Sequence, residues 1–189
     1  MSQGTKTLAW ETPPELWQGL RPSSGAARGS IAALYIARQP SGPMESLSEV
    51  RAFADRGLEG DRFFRASWSA ASRPDKAVSF VEEETLQAAA KELDCEMFGD
   101  KSRRNIVTSG VALIDLLDRE FTVSGVLMRG IRLFEPCGHL EKVSKIRGIF
   151  RALEHRSGLK ASILSDGVIR VGDPIVLAHL RQVAVPEPG

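Results

Sequence analysis

Apolar and polar positions alternate with two different periods along this chain. Ile31, Leu34, Tyr35 and Ile36 make a run of strand length and β-favouring composition that Pro40 and Pro43 bring to an end, and it reads as a first core strand. Val78 to Val81 reads as another strand leading straight into a helix, because Leu86, Ala89, Ala90 and Leu93 recur at the spacing of one helical face. Glu82, Glu83 and Glu84 fall in the first turn of that helix, where the dipole favours negative charge. Arg103-Arg104-Asn105-Ile106-Val107 reads as a short strand. Phe121 and Val123 alternate up to a Ser124-Gly125 turn, and Ile131 and Leu133 alternate beyond it. A second helix is predicted over residues 145–156, with Ile146, Ile149, Phe150 and Leu153 on one face, Ser144 as its cap and Gly158 past its end. Three short strands at 161–164, 168–171 and 175–180, separated by turns at Asp166-Gly167 and Gly172-Asp173-Pro174, close the pattern. Residues 46–53 fit either a helix capped by Ser46 and Glu49 or a strand.

Together these elements predict an α+β chain that is mainly β, its even strand and turn spacing favouring a barrel over an alternating βαβ sheet, with two or three flanking helices. Residues 1–29, rich in Pro, Gly and Ser, read as an N-terminal extension that Trp10 and Trp17 could dock; residues 30–182 form the domain and 183–189 a tail. The segment from 65 to 76, dominated by Ser and Ala, is a lid or a plain connection.

Composition adds exclusions. With 25 Lys+Arg against 24 Asp+Glu the formal charge is +1, so no overall field argues for nucleic acid or an anionic membrane. No apolar run reaches the ~20 residues of a membrane span, and the first twenty residues lack a signal-peptide core. The expectation is a cytoplasmic protein. Its two cysteines, Cys95 and Cys137, are too few for a disulfide framework or a four-cysteine zinc site. Eighteen of the cations are Arg and seven Lys, a skew that suits an anionic ligand or reflects codon usage.

Cys95 lies beside Leu93 and Met97 near the end of the first helix and reads as a small buried hydrophobe. Cys137 lies in Phe134-Glu135-Pro136-Cys137-Gly138-His139, just past a strand, between a rigid residue and an unhindered one. That setting suits a sulfur presented to a soft metal or an electrophile, but on spacing alone an inert loop cysteine is the commoner case. His139, His155 and His179 show no zinc-ligand spacing with it. The dinucleotide fingerprint and the phosphate loop are both missing.

Five motifs in order carry a resemblance: Gly57-Leu58-Glu59-Gly60-Asp61-Arg62-Phe63-Phe64, Arg103-Arg104-Asn105-Ile106-Val107-Thr108, Glu135-Pro136-Cys137, His155-Arg156-Ser157-Gly158-Leu159-Lys160-Ala161, and Gly167-Val168-Ile169-Arg170-Val171-Gly172-Asp173. They resemble the MOSC family, the molybdenum cofactor sulfurase C-terminal domain, in its bacterial stand-alone form. Phe134 stands where related members often carry another cysteine, which speaks against a vicinal dithiol, and Ser157-Gly158 where the pattern is more often Gly-Gly.

The resemblance implies a MOSC-type β-barrel that handles the molybdenum cofactor, molybdopterin with Mo, or its sulfur. It puts Cys137 forward as metal ligand and catalytic residue, and Arg62, Arg104, Asn105, Arg156 and Lys160 as cofactor-binding residues. Asp61 would orient an arginine, accept a pterin N–H or donate a proton, or else cap the Gly60 turn. The implied activity is reduction of N-hydroxylated or N-oxygenated small molecules, with electrons from a separate reductase. One alternative is a sulfur carrier whose Cys137 persulfide comes from a PLP-dependent cysteine desulfurase, the PLP belonging to that partner. Another is a cofactor-binding module without turnover.

Overall fold

The computed structural model describes residues 28–65, 74–97 and 99–177. The segment 1–27 with Trp10 and Trp17, most of the 65–76 connection, and the tail lie outside them.

Strand β1 (Arg28–Ile36) is long enough to pair with three neighbours. It meets β11 (Pro174–Leu177) near its start, β6 (Ile106–Ser109) along its middle, and β2 (Glu45–Leu47) at its end. From β11 the ladder continues through β7 (Glu120–Val123), β8 (Val126–Leu133), β9 (Leu159–Ile163) and β5 (Val78–Glu82) to β6. The β1–β11 pairing therefore closes seven strands into a barrel, and closure removes the exposed edges of an open sheet. A small antiparallel sheet of β3 (Glu49–Phe53), β4 (Gly57–Leu58) and β10 (Gly167–Arg170) stands beside it, which settles residues 46–53 as strand.

Among the described strands of the barrel only β5 and β6 run parallel, and a parallel pair needs a crossover. Helix α1 (Glu83–Glu92) supplies it. Strand β5 is accordingly buried on both faces: Val78 and Phe80 point into the barrel, where Phe80 meets Phe121 edge-on at 5.7 Å, while Val81 points outward under the helices. The outer layer packs Leu86 and Ala89 of α1 against Val107, Leu140, Ile149 and Leu153.

The helical pattern over 145–156 does not make one helix. Helix α2 (Gly99–Ser102) precedes β6; of residues 145–156 only α4 (Ile149–Ala152) is helical, and Ser144, the predicted cap, is instead the last residue of a separate helix α3 (His139–Ser144). Lys145 at φ 60° ends α3 and Gly148 at φ 84° precedes α4, so two left-handed residues interrupt the helical path. Ile149 and Leu153 still reach the core, which is why the apolar spacing looked continuous.

Candidate functional site

The chain bends sharply after β4. Asp61 accepts backbone N–H bonds from Ala37 at 3.1 Å and Phe63 at 3.0 Å and a side-chain bond from Asn105 Nδ2 at 3.2 Å. Asn105 gives its other N–H to Tyr35 O at 3.2 Å and accepts from both the N–H and hydroxyl of Ser79, at 3.2 and 2.8 Å. Two donors and two acceptor positions are all an amide side chain has, so Asn105 is saturated. It was expected to hand a donor to a ligand; here its amide ties β1, β5 and the Asp61 turn together. Asp61 is likewise occupied by neighbours, and in this structure it is a positioning residue for that turn.

Arg62 leaves the same turn differently. Its Nη1 is buried, lies 3.9 Å from the Asp61 carboxylate, and has no hydrogen-bond partner among the described residues. Its guanidinium sits 4.6 Å from the Phe63 ring centre, and Lys76 Nζ lies 5.5 Å from that ring. An unmet guanidinium N–H costs free energy unless something accepts from it.

Arg104, only 3% exposed, enters from the loop before β6. Nε donates to Ser157 O at 3.0 Å, Nη1 to Ser102 O at 2.8 Å, and Nη2 to the Ser157 hydroxyl. The planar group lies 3.6 Å from the centre of the Phe134 ring, and Lys160 Nζ lies 4.3 Å from the same centre. The ring is held there by the Phe134 N–H bond to Gly158 O at 2.7 Å. Gly158 has φ 114°, and a Cβ on it would collide with the Phe80 carbonyl, so this crossing of strands requires glycine.

Charge in this wall is unbalanced. Burial pushes the Arg104 pKa down to about 9; Cys137 and Glu135 pull it back up, while Arg62 lowers it further. Lys160 is lowered to about 8, first by burial, then by Arg132, with Asp75 opposing and Arg104 and Lys76 adding to the fall. Asp75 Oδ2 accepts from Arg132 at 3.0 Å and lies 3.9 Å from Lys160 Nζ. Five cations thus cluster about one place, Arg62, Lys76, Arg104, Arg132 and Lys160, while Arg103 stands at the edge of the group, its pKa lowered by burial and then by Arg62.

Cys137 is exposed, in the loop between β8 and α3, and close enough to Arg104 to favour its charge. Cys95 is half-buried, its N–H bonded to Ala90 O at 3.1 Å. Glu135 accepts from the His155 backbone N–H at 3.0 Å and meets its ring Nδ1 at 3.3 Å. Arg156 turns the other way: Nε donates to Ala152 O at 2.6 Å and Nη2 pairs with Glu92 of α1, so its contacts belong to the helical layer. Among the described residues no three His, Cys, Asp or Glu side chains form a metal cage. A metal here would have to bring most of its ligands with it, as a dithiolene-bound metal does.

Asp75 and Arg132 carry no signal in the sequence, and Phe63 and Ser157 stand there only as members of motifs. Arg132 and Asp75 are 57 positions apart, and neither has local company that would single it out. Phe134 was noticed only for the cysteine it replaces.

A model of the MOSC domain matches residues 60–176. The chain belongs to the MOSC domain family. That family is associated with binding the molybdenum cofactor. Among solved structures the YuaD protein of Bacillus subtilis superposes with TM-score 0.69 at 18% identity, over 82% of this chain and 98% of that one. YiiM of Geobacillus stearothermophilus gives 0.63 at 16% identity, over 80% and 75% of the two chains, and YiiM of Escherichia coli gives 0.60 at 17%, over 79% and 70%. These likenesses establish the barrel fold. No curated protein matches the chain by sequence. Among the described residues of this MOSC protein no helix is long and apolar enough to cross a membrane.

Proposed function

We propose that this MOSC protein binds the molybdenum cofactor and reduces N-hydroxylated or otherwise N-oxygenated small molecules, with Cys137 as its ligand to the metal. The observation that carries this reading is an exposed thiol beside a buried excess of cations, one of which, Arg62, holds an unpartnered N–H. A soft thiolate suits a metal already bound by dithiolene sulfur, and the cations suit the cofactor's phosphate. The cofactor, when bound, supplies the centre that takes an oxygen atom and passes two electrons. Two protons must accompany those electrons to release water.

The chain's own groups do the rest. Arg104 is locked by three hydrogen bonds and the Phe134 face, so its charge meets an anion without further ordering. Arg62 offers its unmet N–H to a ligand oxygen. Lys160, lowered to about 8, gives or takes a proton at Nζ near neutral pH and is the group best suited to that task. Asp61 and Asn105 hold the turn from which Arg62 projects. Electrons come from a separate reductase, since the sequence has no flavin or iron–sulfur motif.

The exposure of Cys137 supports a second reading, in which it carries a persulfide received from a PLP-dependent desulfurase. One experiment separates the two. Protein from a cofactor-producing host is assayed for molybdenum, and its intact mass is measured after incubation with a desulfurase, for wild type and Cys137→Ala. Bound molybdenum that Cys137→Ala loses is the expected result. Metal-free wild type, or unchanged occupancy in the variant, overturns the reductase reading; a Cys137-dependent gain of one sulfur in metal-free protein favours the carrier.

A further inference from the structure

A second polar cleft, of about 330 Å³, lies apart from the Cys137 site. It is formed by the loop at 41–44, by α2 with Arg103 behind it, and by the end of α3. Its volume falls at the lower end of the roughly 300–1,000 Å³ of small-molecule sites. Neither Cys137, Arg104 nor Lys160 lines it.

Its lining is cationic. Lys101 and Arg103 come to it from α2 and the residue that follows it, Lys145 from the end of α3, and its one lining carboxylate, Asp100, is already 3.2 Å from Lys101. Arg103 is fixed in place because its Nη1 donates to Gly42 O across the cleft wall. Met44 and Val143 add apolar surface beside the charges. Ser41, Arg103 and Lys145 all hold left-handed backbone, at φ 58°, 63° and 60°. Non-glycine residues hold that conformation where their surroundings impose it, and here three of them line one cleft. Three cations against one paired carboxylate repel one another until an anion joins them.

We propose that this cleft binds a small phosphate ester, its phosphate gripped by Lys101, Arg103 and Lys145 and its carbon body laid against Met44 and Val143. Phosphate matches the donors, since an arginine fork and two lysines can satisfy several phosphate oxygens at once. The apolar patch distinguishes an ester from the bare ion. The cleft also touches the first site at two points: Ser41 Oγ lies 2.9 Å from His139 Nε2, two residues from Cys137, and Arg103 feels the charges of Arg62 and Asp61. Occupancy of the cleft would therefore steady the loop that carries Cys137.

The test is calorimetric titration of the full chain with ribose 5-phosphate, inorganic phosphate and ribose. Ribose 5-phosphate should bind, inorganic phosphate more weakly, and ribose not at all. A Lys101→Ala/Lys145→Ala double variant should weaken ribose 5-phosphate by about tenfold or more with an unchanged melting temperature, since each lysine is partly or fully exposed. Cys137→Ala should bind it as wild type does, which keeps this outcome separate from that of the metal assay. Absence of ribose 5-phosphate binding, or equal binding of ribose, overturns the proposal. So does binding that survives the double variant but is lost in Arg104→Met, because the anion is then held by the other cation cluster.

Discussion

Two buried polar groups stand near each other, built from motifs of the same family, and they are opposite in kind. Around Asp61 and Asn105 every donor and acceptor of the amide is met, and the carboxylate takes three N–H bonds. Around Phe134 two cations lean on one ring, their pKa values are pushed down, and neighbouring Arg62 keeps an N–H without a partner among the described residues. The first group has its polar atoms met from within the chain; the second concentrates buried positive charge. Membership of a family motif does not by itself fix what a side chain contributes: Arg104 and Asn105 are neighbours in one motif and both are held by hydrogen bonds, but the arginine brings a buried charge and the asparagine does not.

The widest gap between the two groups should appear on removing Asp61. Asp61→Ala strands the Ala37 and Phe63 N–H groups and one Asn105 donor, and should cost about 3 kcal/mol in chemical denaturation. A loss below about 1 kcal/mol would mean that the node is not closed as described.

Lys160 should show the opposite signature, in pH dependence. Its folded pKa of about 8 lies below the ordinary 10.5, so between those values the unfolded chain holds the extra proton. Stability should therefore gain a rising contribution as pH climbs through that window, and Lys160→Met should lack it. Denaturation curves across the window check the sign; identical slopes in both proteins would remove the strained-cation account of this wall.

The smallest effect is expected at the ring. Phe134→Leu keeps the apolar volume but removes the aromatic face beneath Arg104 and Lys160, and should cost about 1 kcal/mol, with Phe134→Tyr restoring most of it. Equal stability of all three would reduce the ring to a spacer.

Several of these features were legible in the chain itself. The strands at 31–36 and 78–81, the crossover helix and the C-terminal strand series follow from period-two and period-3.6 patterns, which report which face each residue buries. Cys137, Arg62, Arg104 and Lys160 come forward from the sequence through the family motifs, since the strand-end setting of Cys137 suits an inert loop cysteine as well. The helix over 145–156 could not be read correctly, because its apolar spacing survives a break at Lys145 and Gly148 that only the backbone angles reveal. Asn105 and Arg156 carried the right chemistry for a ligand, yet their partners Ser79 and Glu92 lie 26 and 64 positions away. Asp75 and Arg132 escaped notice for the same reason.

The sequence by itself determined most of the strands, the helix after β5, the mainly β class and the family, since each rests on local periodicity or on residue identity. Only the tertiary structure decided which polar side chains are saturated and which remain open. That outcome depends on distant segments: closure of the barrel brings Ser157 and Phe134 around one arginine, and the Ser79 and Asp61 partners around one asparagine.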